Sequence, residues 1–333
     1  MTNKAFILSF LFICLFKYSH SQTTNNETEL LNYVKAINIS SSNFEELLPQ
    51  ITKPGNTVKE KLNLVYFWVF EHINFDTERF LKTGPLQPLS TTETLASGNA
   101  LCYDYNELLG AACNYLKIPG YDIEGYVKYY GFEPGGKFTQ NNHIWHAVYL
   151  DNKWQMIDLL WACGNLSIKG DNYTFIKKLQ KAYFLADPAT FLNSHLPADP
   201  IWQFTTHPLT IDGFVADKYD VDSTKRGGFI DYADSIALMN KLKPNDREIR
   251  SALRVYNFNK DNPNQLIITY YNSAVEMLNK TNNTKGELLK AKTYFANAMR
   301  YIKESTDNDI KALAPVCEKG IIVIERRLKQ TKG

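Results

Sequence analysis

The chain predicts an α+β fold, in which a helix opened by a cysteine precedes a pair of antiparallel strands and an all-helical region follows. Three observations carry this. Cys102 heads a helical pattern that runs through Leu116. Two strand-like runs, His143–Leu150 and Lys153–Leu160, flank Asp151-Asn152, which has the residue types of a two-residue hairpin turn. Beyond about Gly228, helical spacing recurs as far as Leu328.

The 333 residues are 44% hydrophobic and 13% aromatic, enough to bury a sizeable core and to make two domains. Of the 37 basic residues, Lys4 and Lys17 fall in the first 21 positions, so the remainder balances the 35 acids. That balance gives a nucleic acid nothing to bind.

Residues 1–21 read as a secretion signal: Lys4, an apolar run from Ala5 to Phe16, and small residues at Ser19 and Ser21. The expectation is a mature start at Gln22 and a secreted or periplasmic protein, with no membrane attachment after cleavage. An uncleaved anchor is the alternative, although the run is shorter than the roughly 20 residues that span a bilayer.

From Leu30 to Leu48 there is room for a short helix or two before Pro54-Gly55 breaks the pattern. Residues 22–56 thus form an N-terminal segment. Leu62, Leu64, Val65, Phe67, Trp68 and Ile73 then suit a core helix ending before Asn74. The stretch Lys82–Ser97 reads as a loop, with a short helix over Thr91–Ala96. After the cysteine helix, Pro119-Gly120 is a stop and Tyr121–Tyr130 alternates as a strand. Glycine-rich Phe132–Asn142 crosses to the histidine strand. Aromatic and proline residues from Ala182 to Phe214 make an irregular packed segment that closes a domain at 57–215. The domain at 216–333 holds helices near Ile230–Leu242, Asp246–Tyr256, Asn264–Leu278, Lys285–Ile302 and Asp309–Leu328, the last kinked or split by Pro315. Its Tyr270, Ala274, Ala291, Tyr294 and Ala298 suit tetratricopeptide-like hairpins or an ordinary bundle, and no clean 34-residue period decides between them.

Cys102, His143 and Asp158 are the candidate catalytic residues. A thiol attacks an amide as thiolate, and at a free pKa near 8.5 it needs a helix N-terminus or an imidazolium beside it. At the head of a helix, Cys102 faces the positive end of the macrodipole, which also suits an oxyanion; Asp104 in the same turn opposes this modestly. His143 and His146 lie three apart on one strand and so point to opposite faces. With Asp151-Asn152 as the turn, Leu150 pairs with Lys153, and His143 becomes a diagonal neighbour of Asp158, about 7–8 Å away along the backbone. A three-residue turn would select His146 instead.

Cys113 cannot pair with Cys102, eleven residues and about 16 Å away along one helix. A Cys113–Cys163 bridge stays open. No cysteine pair has metal-ligand spacing and no acidic loop has a calcium pattern, so no metal or other cofactor is expected.

The segments Val65–Asp76, Leu101–Tyr105, Gly125–Lys128, His143–Val148 and Trp154–Trp161 resemble, in order and spacing, the transglutaminase-like superfamily of papain-related folds, in its kyphoscoliosis peptidase and cytokinesis-protein-like branch. Tyr183–Pro188, His195–Pro197 and Trp202–Phe204 resemble the segment downstream of the core in that branch, so the likeness covers about Thr57 to Phe214. The resemblance implies Cys102 as nucleophile, His143 as base and Asp158 as orienter, within an α+β fold that packs the cysteine-bearing helix against an antiparallel sheet. Three departures stand out: His146 for a usual Asn, Ala100-Leu101 for a glycine-containing approach to the cysteine, and larger residues after Asp158. The expected function is acyl transfer from a protein or peptide substrate through a thioester, ending in hydrolysis or transamidation. The alternative is a catalytically idle binding module whose C-terminal helices recognise a protein partner.

Overall fold

The computed structural model describes residues 27–39, 41, 43–82, 87–129, 131–170 and 172–330. The leader expected at 1–21 lies outside them.

Helix α1 (Phe44–Ile51) buries Phe44, Leu47, Leu48 and Ile51. Helix α2 (Val58–His72) is the core helix expected from its apolar spacing: Leu62 and the whole run from Leu64 to Val69 are buried. Its start is set by a reciprocal cap, in which Thr57 Oγ1 accepts from the Glu60 N–H at 3.2 Å and Glu60 accepts from the Thr57 N–H at 3.1 Å. Strand β1 (Asn74–Phe75) pairs in parallel with β2 (Asn99–Ala100), and between them α3 (Thr91–Ser97) begins on a Ser90–Glu93 cap. Helix α4 (Cys102–Leu116) ends at Lys117, whose φ of 59° closes it in the left-handed conformation before Pro119 is reached.

Strands β3 (Gly120–Val127), β4 (His143–Leu150), β5 (Lys153–Ile157) and β8 (His195–Pro197) form a four-stranded sheet in the order β5-β4-β3-β8. The β4–β5 hairpin has the expected register, Leu150 against Lys153 and His146 against Ile157. Asp151 and Asn152 have φ of 55° and 61°, the paired positive values of the tight turn that matches strand twist. After α5 (Leu159–Cys163), β6 (Gly164–Lys169) and β7 (Asn172–Lys177) make a second hairpin that sequence reasoning did not anticipate.

Contacts divide the chain into two compact units. One comprises the residues up to Asp122 with Trp145–Ala186, and the other Ile123–Ile144 with the residues from Asp187 onward. In the first, α1, α2 and α4 share a core with Val148 and Ile157 of the hairpin, so the cysteine helix packs on antiparallel strands as expected. The Tyr66 hydroxyl in that core donates to the Ala162 carbonyl at 2.7 Å and accepts from the Gln180 N–H at 3.1 Å.

In the second unit, β3 pairs with β8, and helices α6 (Tyr232–Lys241), α7 (Pro244–Phe258), α8 (Asn264–Leu278), α9 (Lys285–Ile302) and α10 (Ala314–Gln330) come after them. Pro315 stands in the first turn of α10, after a separate turn at Asn308–Lys311, so it splits the last helical stretch. Helices α7 to α10 share one core, which includes Tyr270, Ala274, Ala291, Tyr294 and Ala298. Asp199, 3% exposed, is held by Arg254 at 2.7 Å and by the Ser251 hydroxyl at 2.7 Å. Among the described residues, no helix is long and apolar enough to cross a membrane.

Candidate active site

Cys102 is the first residue of α4, and its N-cap, Leu101, supplies no side-chain hydrogen bond. The first-turn amides are therefore not taken up by a capping side chain, the arrangement an anionic sulfur or oxyanion requires. The thiol is partly exposed.

Asp104 was expected to work against an anion at this helix end, and the structure corrects that reading. Its carboxylate is fully buried and paired with Arg79, whose Nη1 donates to Oδ2 at 2.6 Å. It also accepts from the Leu101 N–H at 2.7 Å and the Leu89 N–H at 2.6 Å. Its charge is thus balanced locally. The carboxylate pins the approach to Cys102, and Arg79 reaches on to the Gln87 carbonyl at 2.9 Å. Nothing in the sequence marked Arg79, 25 residues upstream of Asp104.

Asp158 lies at the end of β5 and caps α5, its Oδ1 accepting from the Trp161 N–H at 3.0 Å. It is 1% exposed, so its carboxylate is held in one orientation. Both Cys102 and Asp158 belong to the first unit. His143 begins β4 and belongs to the second, where its ring lies 5.7 Å from that of His195. His195 is fully buried, stacks on Phe191 at 4.1 Å and shares a 2.7 Å hydrogen bond with Ser194 Oγ. Sequence reasoning had noted it only as part of a downstream motif.

The other histidine of β4, His146, is bound to a different carboxylate: its Nδ1 lies 2.8 Å from Asp122 Oδ1. An ionised carboxylate only accepts, so Nδ1 carries the proton. Desolvation pushes the Asp122 carboxyl up, but the hydrogen bond and charge of His146, with the Asn106 amide, outweigh it and hold the group below the usual aspartate range.

The four described cysteines are free thiols, so no Cys113–Cys163 bridge forms. Burial pushes Cys113 up to about 12 and raises Cys163 further.

Residues 45–159 match the family model described as the transglutaminase-like superfamily. Kyphoscoliosis peptidase of Mus musculus is 26% identical over 179 residues, covering 54% of this chain and 27% of the relative. Hillarin of Drosophila melanogaster is 25% identical over 185 residues, covering 51% of this chain and 22% of the relative. The match thus spans about a quarter of the length of these curated relatives. A solved structure titled "Crystal structure of a TGase" covers 51% of this chain and 43% of its own at 18% identity, with a TM-score of 0.27, too low to bear on the fold. Over residues 45–159, about a third of the chain, the protein is thus similar to the transglutaminase-like superfamily.

Proposed function

We propose that the chain is a Cys-His-Asp acyl-transfer enzyme acting on glutamine or peptide amides, with Cys102 as nucleophile, His143 as base and Asp158 as orienter. The observation that carries this reading is the register of the β4–β5 hairpin. Leu150 faces Lys153 across a two-residue turn, and alternation along the two strands then gives His143 the face of Asp158 and His146 the other. The uncapped first turn of α4 at Cys102 adds to it.

In the proposed reaction, His143 takes the Cys102 proton and the thiolate attacks the amide carbon, forming a C–S bond. The first-turn amides of α4 suit the oxyanion. As the C–N bond breaks, the imidazolium returns its proton to the leaving nitrogen, which departs as ammonia or as an amine. Water or an incoming amine, deprotonated by His143, then attacks the thioester and restores the thiol. Asp158 holds the imidazole in the productive tautomer and steadies its positive form.

The test is intact-protein mass spectrometry of purified protein incubated with a glutamine-containing peptide and quenched in acid. The expected result is an adduct of the peptide mass less ammonia on Cys102, absent from Cys102→Ala. Added primary amine should yield amidated peptide if transamidation wins, and free glutamate if water does. No adduct across a digest of peptides of varied sequence would contradict the proposal.

A further inference from the structure

The second histidine of β4 opens onto a cavity of about 460 Å³ that the proposed reaction does not use. One wall is a face of α4, where Asn106, Gly110, Cys113 and Asn114 recur at helical spacing. A Cβ added at Gly110 would meet nothing within 4 Å, so the cavity is open above that position. The facing wall is Gly120, Asp122 and His146.

His146 is 6% exposed, and its Nδ1–H is spent on Asp122 Oδ1, which also accepts from the Asn106 amide at 2.6 Å. In the neutral imidazole two acceptors remain: Nε2, which makes no hydrogen bond among the described residues, and Asp122 Oδ2. Gly120 keeps the space beside Nε2 clear, because a Cβ there would stand 2.5 Å from it. Glu45 and Glu107 also line the cavity, while no lysine or arginine does. The lining therefore lacks the fixed positive charge of a lysine or arginine. A bare metal ion is a poor occupant, since no three ligand atoms here gather closely enough to hold one among the described residues.

We propose that this cavity binds a small organic cation bearing N–H donors, an ammonium or a guanidinium, which donates to His146 Nε2 and Asp122. Its volume is that of a small-molecule site. Charge-assisted N–H bonds to a carboxylate are the strong kind, and the planar donors of a guanidinium or the three of an ammonium satisfy an imidazole and a carboxylate together. The inference rests on the Asp122–His146 pair and does not depend on the acyl-transfer reading.

The experiment is isothermal titration calorimetry of the full chain with agmatine, which carries both cationic groups. 1,4-Butanediol serves as a neutral counterpart, and tetramethylammonium as a cation without N–H donors. One-to-one agmatine binding is expected, at least tenfold tighter than either control, and weakened at least tenfold in His146→Gln and in Asp122→Asn. Circular dichroism checks that these variants fold. Should they not, Glu107→Gln on the exposed rim decides: a loss of about threefold supports the proposal, and unchanged affinity overturns it. No agmatine heat, equal affinity for a control, or magnesium or calcium displacing agmatine would overturn it as well. Separate titrations of methylguanidine and methylamine then assign the preferred cation.

Discussion

Helix α4 carries two thiols in opposite circumstances. Cys102 sits at its first residue, partly exposed and beside backbone amides that no side chain caps. Cys113, three turns on, is 2% exposed, and burial pushes its thiol up to about 12. The helix also meets two different polar pairs: buried Asp104 with Arg79 at the head, and buried His146 with the more exposed Asp122 along the body. The residue type is the same at both positions, and the setting differs. Reactivity thus follows from the place on the helix, and a cysteine count alone says nothing about it.

The largest expected contrast is between the thiols themselves. At pH 7 a thiol titrating near 12 is ionised in roughly one molecule in 10⁵. Iodoacetamide should therefore modify Cys102 while Cys113 stays unmodified in the folded protein, as peptide mapping will show. Equal labelling of both would erase the comparison.

Next in size is the anchor at the helix head. Arg79→Ala leaves a fully buried Asp104 without its cation, and removing one partner of a buried pair costs about 3 kcal/mol. Urea unfolding should show that loss, and a change under about 1 kcal/mol would mean Asp104 is satisfied by its backbone donors alone.

A smaller effect sharpens the choice between the two strand histidines. Asn152 holds a φ of 61°, which Ala adopts poorly and Gly freely. Asn152→Ala should lower stability by about 1 kcal/mol, while Asn152→Gly should be neutral or better. The reverse order would mean that the turn is not what sets the register.

Much of the fold was legible wherever the determining residues are neighbours in sequence. The spacing of Leu62, Leu64, Val65, Phe67, Trp68 and Ile73 gave α2, and the Asp151-Asn152 pair gave a hairpin whose register assigns His143 and His146 to different faces. Helices α8 and α9 run over the residues expected from helical spacing, Asn264–Leu278 and Lys285–Ile302. Less legible was anything that depends on distant pairing. The β6–β7 hairpin relies on Gly164, where a Cβ would stand 2.4 Å from the Ile176 carbonyl oxygen, a closeness no local pattern announces. The Asp122–His146 bond needs the register of β3 on β4, which the glycine-rich crossing at 132–142 leaves unset. Asp104 was misjudged because its compensating cation, Arg79, arrives from another helical turn. Of the candidate site, the sequence offered the three residue types and their local settings, whereas His195 and Arg79 emerged only from packing.

The central claim is that His143, and not His146, serves Cys102. The direct measurement is the second-order rate of iodoacetamide modification of Cys102 at pH 7 in the wild type, His143→Ala and His146→Gln, followed by mass spectrometry. The account predicts a loss of tenfold or more in His143→Ala and a change within twofold in His146→Gln. An unchanged rate in His143→Ala, or the larger loss in His146→Gln, would contradict it.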